Sequence, residues 1–114
     1  MAGSKRLICE ASALLEGGRG LRFSVERHGR PEPAFAVRYD GAVRAFLNRC
    51  GHVPVELDWN EGDFFDLSGL YLICSTHGAM YLPDSGKCVG GPCNGRSLVP
   101  LRVEESEGKV FLID

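Results

Sequence analysis

The chain has 114 residues, of which 44% are hydrophobic and 25% are charged, so it can bury a core but has room for only one domain. Its formal net charge of −2 argues against a general nucleic-acid binder. No apolar run approaches the ~20 residues that cross a bilayer, and none follows Lys5 and Arg6 that would make a signal peptide. We therefore expect a soluble cytoplasmic protein that binds neither membrane nor nucleic acid.

The N-terminal part predicts two strands with one helical turn between them. Leu7–Glu10 is a short apolar run, and Cys9 within it is expected to be a buried structural thiol. Ser12 is placed to cap a single helical turn over residues 13–16. Residues 21–26 alternate apolar and polar with a period of two, which is typical of a half-buried strand.

A β-hairpin is predicted next. The sequence predicts strands at residues 34–39 and 42–48. Asp40-Gly41 between them is a strong signal for a two-residue turn. The preceding stretch, 28–33, contains glycine and two prolines, so it predicts a loop in which His28 is solvated.

The second half predicts four more short strands, separated by turns and loops. These strands lie at residues 70–73, 79–82, 98–104 and 109–113. Residues 57–63 predict an exposed acidic loop, Pro83–Gly86 a β-turn, and residues 87–95 a loop rich in glycine. Many short strands with almost no helix predict an all-β antiparallel sandwich.

Two short segments each combine one cysteine with one histidine. Box one is Cys50-Gly51-His52, box two is Cys74-Ser75-Thr76-His77, and 21 residues separate them. Each box offers a thiolate and an imidazole, so the two boxes can close around a metal centre from opposite sides. The odd total of five cysteines argues against a disulfide scaffold.

The two boxes resemble the ligand pattern of the Rieske family, in which two cysteines hold one iron of a [2Fe–2S] cluster and two histidines hold the other. The resemblance implies one cluster per chain, with Cys50 and Cys74 on the inner iron and His52 and His77 on the outer iron.

The resemblance also implies the architecture of the chain. Residues 1–114 would form a single Rieske domain, with a small cluster-binding subdomain, roughly residues 46–93, inserted in the basal β-sheets. Gly51 and Gly78 would let the backbone pass close to the cluster. Gly90-Gly91-Pro92 resembles the proline-containing third loop that covers the cluster in this family.

Departures from respiratory Rieske proteins bear on the redox potential. Those proteins carry an additional cysteine in each box, but Val55 and Thr76 stand at these positions, so that disulfide cannot form. Ala79 replaces a serine that bonds a cluster sulfur, whereas Tyr81 retains a hydroxyl that can reach a cysteine sulfur. Fewer hydrogen bonds to sulfur predict a potential toward the low end of the roughly −150 to +300 mV Rieske range.

The function implied by the resemblance is a one-electron carrier without substrate chemistry of its own. It would take electrons from a flavoprotein reductase and pass them to a terminal oxygenase or another redox enzyme, as ferredoxins of ring-hydroxylating dioxygenases do. An accessory subunit of a reductase of the nitrite reductase type is the alternative. A structural zinc module is disfavoured, because zinc fingers pair Cys with Cys and His with His at short spacings. Only His28 remains beyond the boxes, so the mononuclear iron site of an oxygenase cannot be built.

Two features stay open in the sequence. Cys88 and Cys93 are interpreted as buried reduced thiols in preference to a disulfide or to metal ligands, because a lasting disulfide is rare in the cytoplasm. The stretch 58–66 is either a partner-docking or cluster-shielding insertion, or a tolerated surface loop with Trp59 tucked into the core. We favour the surface loop.

Charge is unevenly divided along the chain. Residues 1–49 carry nine Lys and Arg against five Asp and Glu, and residues 50–114 carry four against ten. Because the acidic half contains both boxes, the sequence predicts that a docking surface near the metal centre is acidic.

Overall fold

The computed structural model describes residues 5–50, 55–58, 60–76, 78–92 and 96–113. Within this part of the chain, ten short strands and one 3₁₀ turn (Ala11–Ala13) make up the regular structure. The strands are β1 (Lys5–Glu10), β2 (Leu21–Arg27), β3 (Arg30–Tyr39), β4 (Ala42–Leu47), β5 (Leu72–Ile73), β6 (Met80–Tyr81), β7 (Cys88–Gly90), β8 (Pro100–Leu101), β9 (Val103–Ser106) and β10 (Lys109–Ile113). The all-β prediction is confirmed.

The strands form three antiparallel sheets. Their strand orders are β1-β10-β9, β2-β3-β4-β8 and β5-β6-β7. The predicted hairpin turn between β3 and β4 is present, with φ of 53° at Asp40 and 77° at Gly41. Positive φ at both central residues is what a type I′ turn requires. Cys50, the first residue of box one, lies shortly after Leu47, at the opposite end of this hairpin from the turn.

Strand β3 is the centre of the molecule because both of its faces are buried. Ala34 and Ala36 pack toward the β1-β10-β9 sheet, in cores that include Val110 and Leu112. Phe35 and Val37 face the other way, into a second core shared with the β5-β6-β7 region. All four of these β3 residues are fully buried. Small side chains on one face and large ones on the other therefore let a single strand support two packed layers.

The prediction of a loop over residues 28–33 is wrong in its extent. Strand β3 begins at Arg30, and Pro31 and Pro33 lie within it, paired with Glu26 and Ser24 of β2. The prolines are tolerated because β4 ends at Leu47, opposite Ala34, so this part of β3 has a ladder on one side only. The β2–β3 hairpin therefore extends past the end of β4. His28 is exposed, as predicted.

Three other local predictions change. The helical turn lies at Ala11–Ala13, earlier than predicted, and no side chain caps it. A short strand, β7, occupies part of the loop predicted at 87–95. The predicted strand 98–104 is divided between β8 and β9 at Arg102. Across the described segments, no helix is long and apolar enough to span a membrane.

Candidate metal centre

The two cysteines of the boxes are buried in the same apolar core. Cys50 follows β4 and Cys74 follows β5, and their relative exposures are 4% and 0%. Both belong to the core that contains Phe35 and Tyr81. Two strand ends from different sheets therefore deliver the two thiol groups into one water-poor region. His52 and His77, the other two predicted ligands, lie outside the described residues, as does Gly51.

Backbone hydrogen bonds fix the chain around each cysteine. The Cys50 amide donates to the carbonyl oxygen of Val55 at 2.8 Å. The Cys74 amide donates to Ala79, and the Gly78 amide donates to the Cys74 carbonyl, each at 2.8 Å. Gly78 has a φ of 78°, a conformation that glycine adopts without strain. Backbone hydrogen bonds thus hold Cys50 and Cys74, the first residue of each box, in place.

Tyr81 lies beside the first thiol. Its side chain is fully buried, and its hydroxyl oxygen is 3.4 Å from the Cys50 sulfur. When Cys50 is a thiolate ligand, only the tyrosine can donate in this hydrogen bond. The geometry agrees with the predicted hydroxyl contact to a cysteine sulfur. Ala79, which stands where respiratory Rieske proteins have a serine, is also fully buried.

The predicted third loop packs directly on Gly78 and Ala79, the two residues that follow box two. A Cβ atom at Gly91 would lie 2.6 Å from the Gly78 carbonyl oxygen and 2.8 Å from the Ala79 Cα. Gly91 also has a φ of 75°. Since backbone, and not a flexible side chain, occupies the space, only glycine fits this close approach. The third loop and the two residues after box two are therefore in close contact.

Cys88 differs from the prediction, because it is disulfide-bonded. The interpretation of Cys88 as a reduced thiol is therefore wrong. Its sulfur lies 3.6 Å from the Gly90 carbonyl oxygen, which is a contact only, since a disulfide sulfur has no proton to donate. Cys93 lies outside the described residues. Cys9, by contrast, is a free and half-buried thiol whose pKa is raised, mainly by burial.

A buried polar network, missed by the sequence reading, connects the surroundings of both boxes. The Asp58 carboxylate accepts hydrogen bonds from Arg22 at 2.7 and 3.0 Å, from the Asn48 side-chain amide at 3.0 Å and from the Gly62 amide at 2.9 Å. The Asp58 side chain has no exposed surface, whereas that of Arg22 is 32% exposed. The expectation that residues 57–63 form an exposed acidic loop is therefore wrong for Asp58.

Leu57 is the point where this network connects the two boxes. Its amide donates to the Asn48 side-chain oxygen at 2.8 Å, and its carbonyl accepts from the Ser75 amide at 3.0 Å. Asn48 precedes Cys50 by two residues, and Ser75 directly follows Cys74. The side chain of Leu57 is fully buried in the same core as both cysteines. The Asp58–Asn48–Leu57 connection therefore sets the position of one box relative to the other.

The charge of Asp58 is maintained by its hydrogen bonds. Burial alone would raise the pKa of this carboxyl, but the hydrogen bonds from Arg22, Asn48 and the Gly62 amide outweigh burial and lower it. The carboxylate is therefore ionised at neutral pH. Asp58 is a satisfied structural anion, so the docking alternative for the stretch 58–66 is not supported at this residue.

The rest of that stretch is a packed hairpin. Phe64 is fully buried and stacks on Phe35, with ring centroids 4.0 Å apart. The Asp66 amide and the Tyr71 carbonyl close the hairpin at 2.9 Å, and Leu67 at its tip is fully exposed. Trp59 lies outside the described residues.

The described part of the site fits an iron–sulfur cluster. Two buried thiols, a tyrosine hydroxyl aimed at one of them and a glycine-lined close approach provide soft ligands, a sulfur hydrogen bond and a dry environment. Thiolates are the usual ligands of such clusters, and hydrogen bonds and burial set their potentials. This arrangement stores and transfers an electron better than it polarises a substrate.

Comparison with known proteins defines the class. The protein-family model for the Rieske [2Fe-2S] domain matches residues 4–106. The chain therefore belongs to this family and carries one [2Fe–2S] cluster. A comparison with curated protein sequences found no match.

Solved structures of ferredoxins share the fold. One structure, titled as a complex of reduced oxygenase and oxidized ferredoxin in carbazole 1,9a-dioxygenase, contains a chain that is 26% identical with a TM-score of 0.74, over 96% of this chain and 92% of that one. The ferredoxin of carbazole 1,9a-dioxygenase from Nocardioides aromaticivorans IC177 is 18% identical with a TM-score of 0.72, over 96% of each chain. The Sphingomonas yanoikuyae B1 ferredoxin is 20% identical with a TM-score of 0.73, over 97% of this chain and 99% of that one.

Proposed function

We propose that this chain is a one-electron carrier that takes electrons from a flavoprotein reductase and passes them to a terminal oxygenase. The observation that carries the proposal is the burial of Cys50 and Cys74 in one core of a Rieske-family chain. The bound cluster supplies a single reversible one-electron change. The similarity to a chain from an oxygenase–ferredoxin complex supports the oxygenase as electron acceptor.

The proposal includes the ligand set and the division of the chain. Cys50 and Cys74 hold the inner iron, and His52 and His77 hold the outer iron. The whole chain acts as one domain with a cluster-binding subdomain at roughly 46–93, and it performs no substrate chemistry of its own. The chain's own contribution is to orient the thiolates through the backbone hydrogen bonds at Cys50 and Cys74, exclude water and donate the Tyr81 hydrogen bond.

A cytoplasmic location is also part of the proposal. The free thiol of Cys9 and the odd number of cysteines suit a reducing compartment, whereas the Cys88 disulfide suits an oxidising one. Fractionation of cells combined with thiol alkylation separates these cases. Alkylation of every cysteine except the cluster ligands, in the soluble cell extract, would support the cytoplasm.

The test is metal analysis with spectroscopy on anaerobically purified protein. We expect two irons and no zinc per chain, and a dithionite-reduced EPR signal with the low average g value of mixed Cys and His ligation. Cys74→Ser should lose this signal, whereas the matched control Cys9→Ser should keep it, because Cys9 lies in a different core. His77→Cys should retain a cluster with a lower potential, since a thiolate replaces a neutral imidazole. Zinc without iron would refute the carrier function.

A further inference from the structure

A basic groove lies next to box one. The groove has a volume of about 550 Å³ and is lined by the β2–β3 turn, by the first residues of β3 and by Arg49. Its charged lining residues are Arg27, Arg30, Arg49 and Glu32, with His28 beside them. Since Arg49 directly precedes Cys50, the groove is adjacent to the candidate metal centre.

The antiparallel register of the sheet produces this placement. His28 and Gly29 form the two-residue turn, with φ of 53° and 75°, and Arg27 is opposite Arg30. Because β3 extends past the end of β4, the turn reaches the end of the sheet from which Arg49 and Cys50 emerge. The Asn48 amide donates to the Pro33 carbonyl at 2.8 Å and holds the two segments together.

The lining of the groove carries three arginines and one glutamate, so it keeps a net positive charge after its ion pair forms. Arg49 pairs with Glu32 at 2.5 Å, and no ion pair involves Arg27 or Arg30 among the described residues. Like charges directly opposite each other on two strands destabilise a sheet. Arg30 is also exposed, so an anionic partner would both reach this pair and relieve its repulsion.

We propose that this groove is the docking surface for an acidic segment of a redox-partner protein. This inference rests on the proposed electron-carrier function, because it assigns the face through which that partner approaches. Complementary charge near the transfer site steers association and raises its rate. The inference replaces the sequence-based expectation of an acidic docking surface, because the arginines that line this groove belong to the basic half of the chain.

The first test uses small charged oxidants as minimal partners. Reduced protein is mixed with ferricyanide, an anion, or hexaammineruthenium(III), a cation, over a range of ionic strength. A surface that followed the net charge of −2 would repel ferricyanide, so the rate would rise with added salt. A basic groove beside the cluster predicts the opposite: the ferricyanide rate falls with salt and the hexaammineruthenium rate rises.

Arg30→Glu and Lys109→Glu form a matched pair of variants, since each changes the net charge by the same amount at an exposed position. Lys109 lies at the other end of the molecule, beside the 105–108 turn that contacts Arg38 and Ala11. At low salt, Arg30→Glu should slow ferricyanide oxidation by about tenfold and reverse its salt dependence, whereas Lys109→Glu should change it by less than about twofold. Equal effects of the two variants would overturn the proposal.

The second test measures binding without electron transfer. Isothermal titration with a short poly-L-glutamate should show binding to the native protein and to Lys109→Glu, and loss of binding in Arg30→Glu and in Arg27→Glu. Equal binding by all four proteins, or no binding by the native one, would overturn the groove as a docking site. If the protein contained no iron, the carrier function would fail, but this titration would still decide whether the groove binds acidic polypeptide.

Discussion

Truncation of Asp58 should weaken the fold far more than its sequence context suggests. In Asp58→Ala, the Asn48 side-chain amide and the Gly62 amide lose their acceptor in a buried environment, where each unsatisfied donor costs about 1–3 kcal/mol. Arg22 is 32% exposed and can turn to water, so its lost ion pair contributes at the low end. The expected loss is therefore about 3 kcal/mol, a large share of the ~5–15 kcal/mol that stabilises a typical domain.

Urea unfolding of the cluster-loaded protein, followed by visible absorption and far-UV circular dichroism, measures this loss. With a dependence of about 1–2 kcal/mol per molar urea, the midpoint should fall by about 2 M. Asp63→Ala is the matched control, because Asp63 belongs to the same stretch, is 52% exposed and pairs with exposed Arg19 at 3.5 Å. Its midpoint should hardly change, since such surface pairs contribute about 0–1 kcal/mol.

The same variant should also disturb the geometry of the centre. The Asp58 network holds Leu57, whose backbone bonds Asn48 before box one and Ser75 in box two. A broadened EPR spectrum and faster cluster loss are therefore expected in Asp58→Ala and not in Asp63→Ala. Our reasoning about this network would be refuted if the two variants had urea midpoints within about 0.3 M of each other.

Three further changes test the close surroundings of the cluster. Tyr81→Phe removes the hydroxyl 3.4 Å from the Cys50 sulfur and should lower the reduction potential by a few tens of millivolts, measured by EPR-monitored titration. Gly91→Ala should destabilise the protein by about 2–4 kcal/mol, because its Cβ would meet backbone at 2.6 Å. Gly108→Ala, at the same φ of 75° but in open space, should cost only about 1–2 kcal/mol. The stability difference between native protein and Asp58→Asn should be complete above about pH 4 and should shrink as the pH falls further toward the lowered folded pKa of Asp58, because the stabilisation is lost on protonation.

Each of these predictions has a result that contradicts it. An unchanged potential in a fully loaded Tyr81→Phe protein would mean that the hydroxyl does not bond the cysteine sulfur. Equal unfolding midpoints for the two glycine variants would mean that the third loop does not pack tightly on the backbone of Gly78 and Ala79. A difference between native protein and Asp58→Asn that did not shrink as the pH was lowered from about 4 would mean that the stabilisation does not come from the ionised carboxylate.

The fold was predictable where a local pattern determines it. Asp40-Gly41 predicted a tight turn, and the alternating residues 21–26 predicted β2, because turn chemistry and strand periodicity act over a few residues. Residues 30–33 were misread as a loop because two prolines usually exclude a paired strand. Only the tertiary structure, in which β4 ends opposite Ala34, shows that residues 30–33 have a neighbouring strand on one side only.

The candidate site divides in the same way. Residue types and spacing indicated the two cysteines as candidate ligands, because thiolates are the usual ligands of iron–sulfur clusters. The resemblance to Rieske proteins indicated Tyr81. Asp58 could not be recognised, since an aspartate in a polar stretch is most often solvated, and its partners Arg22 and Asn48 are 36 and 10 residues away along the chain. A buried carboxylate becomes visible only when tertiary structure supplies its donors.

Charge shows most clearly why order along the chain does not give position on a surface. The balance of the two halves predicted an acidic docking surface near the metal centre, yet antiparallel pairing returns β3 beside the end of β4, so Arg30 lines one groove with Arg49, the residue before Cys50. Meanwhile one acid of the other half, Asp58, is neutralised internally by Arg22. Fields at a docking site depend on charges within about one Debye length, ~8 Å at physiological salt. The ionic-strength dependence of the ferricyanide reaction therefore tests the local charge of the proposed docking groove, which neither the net charge nor the charge of either half can predict.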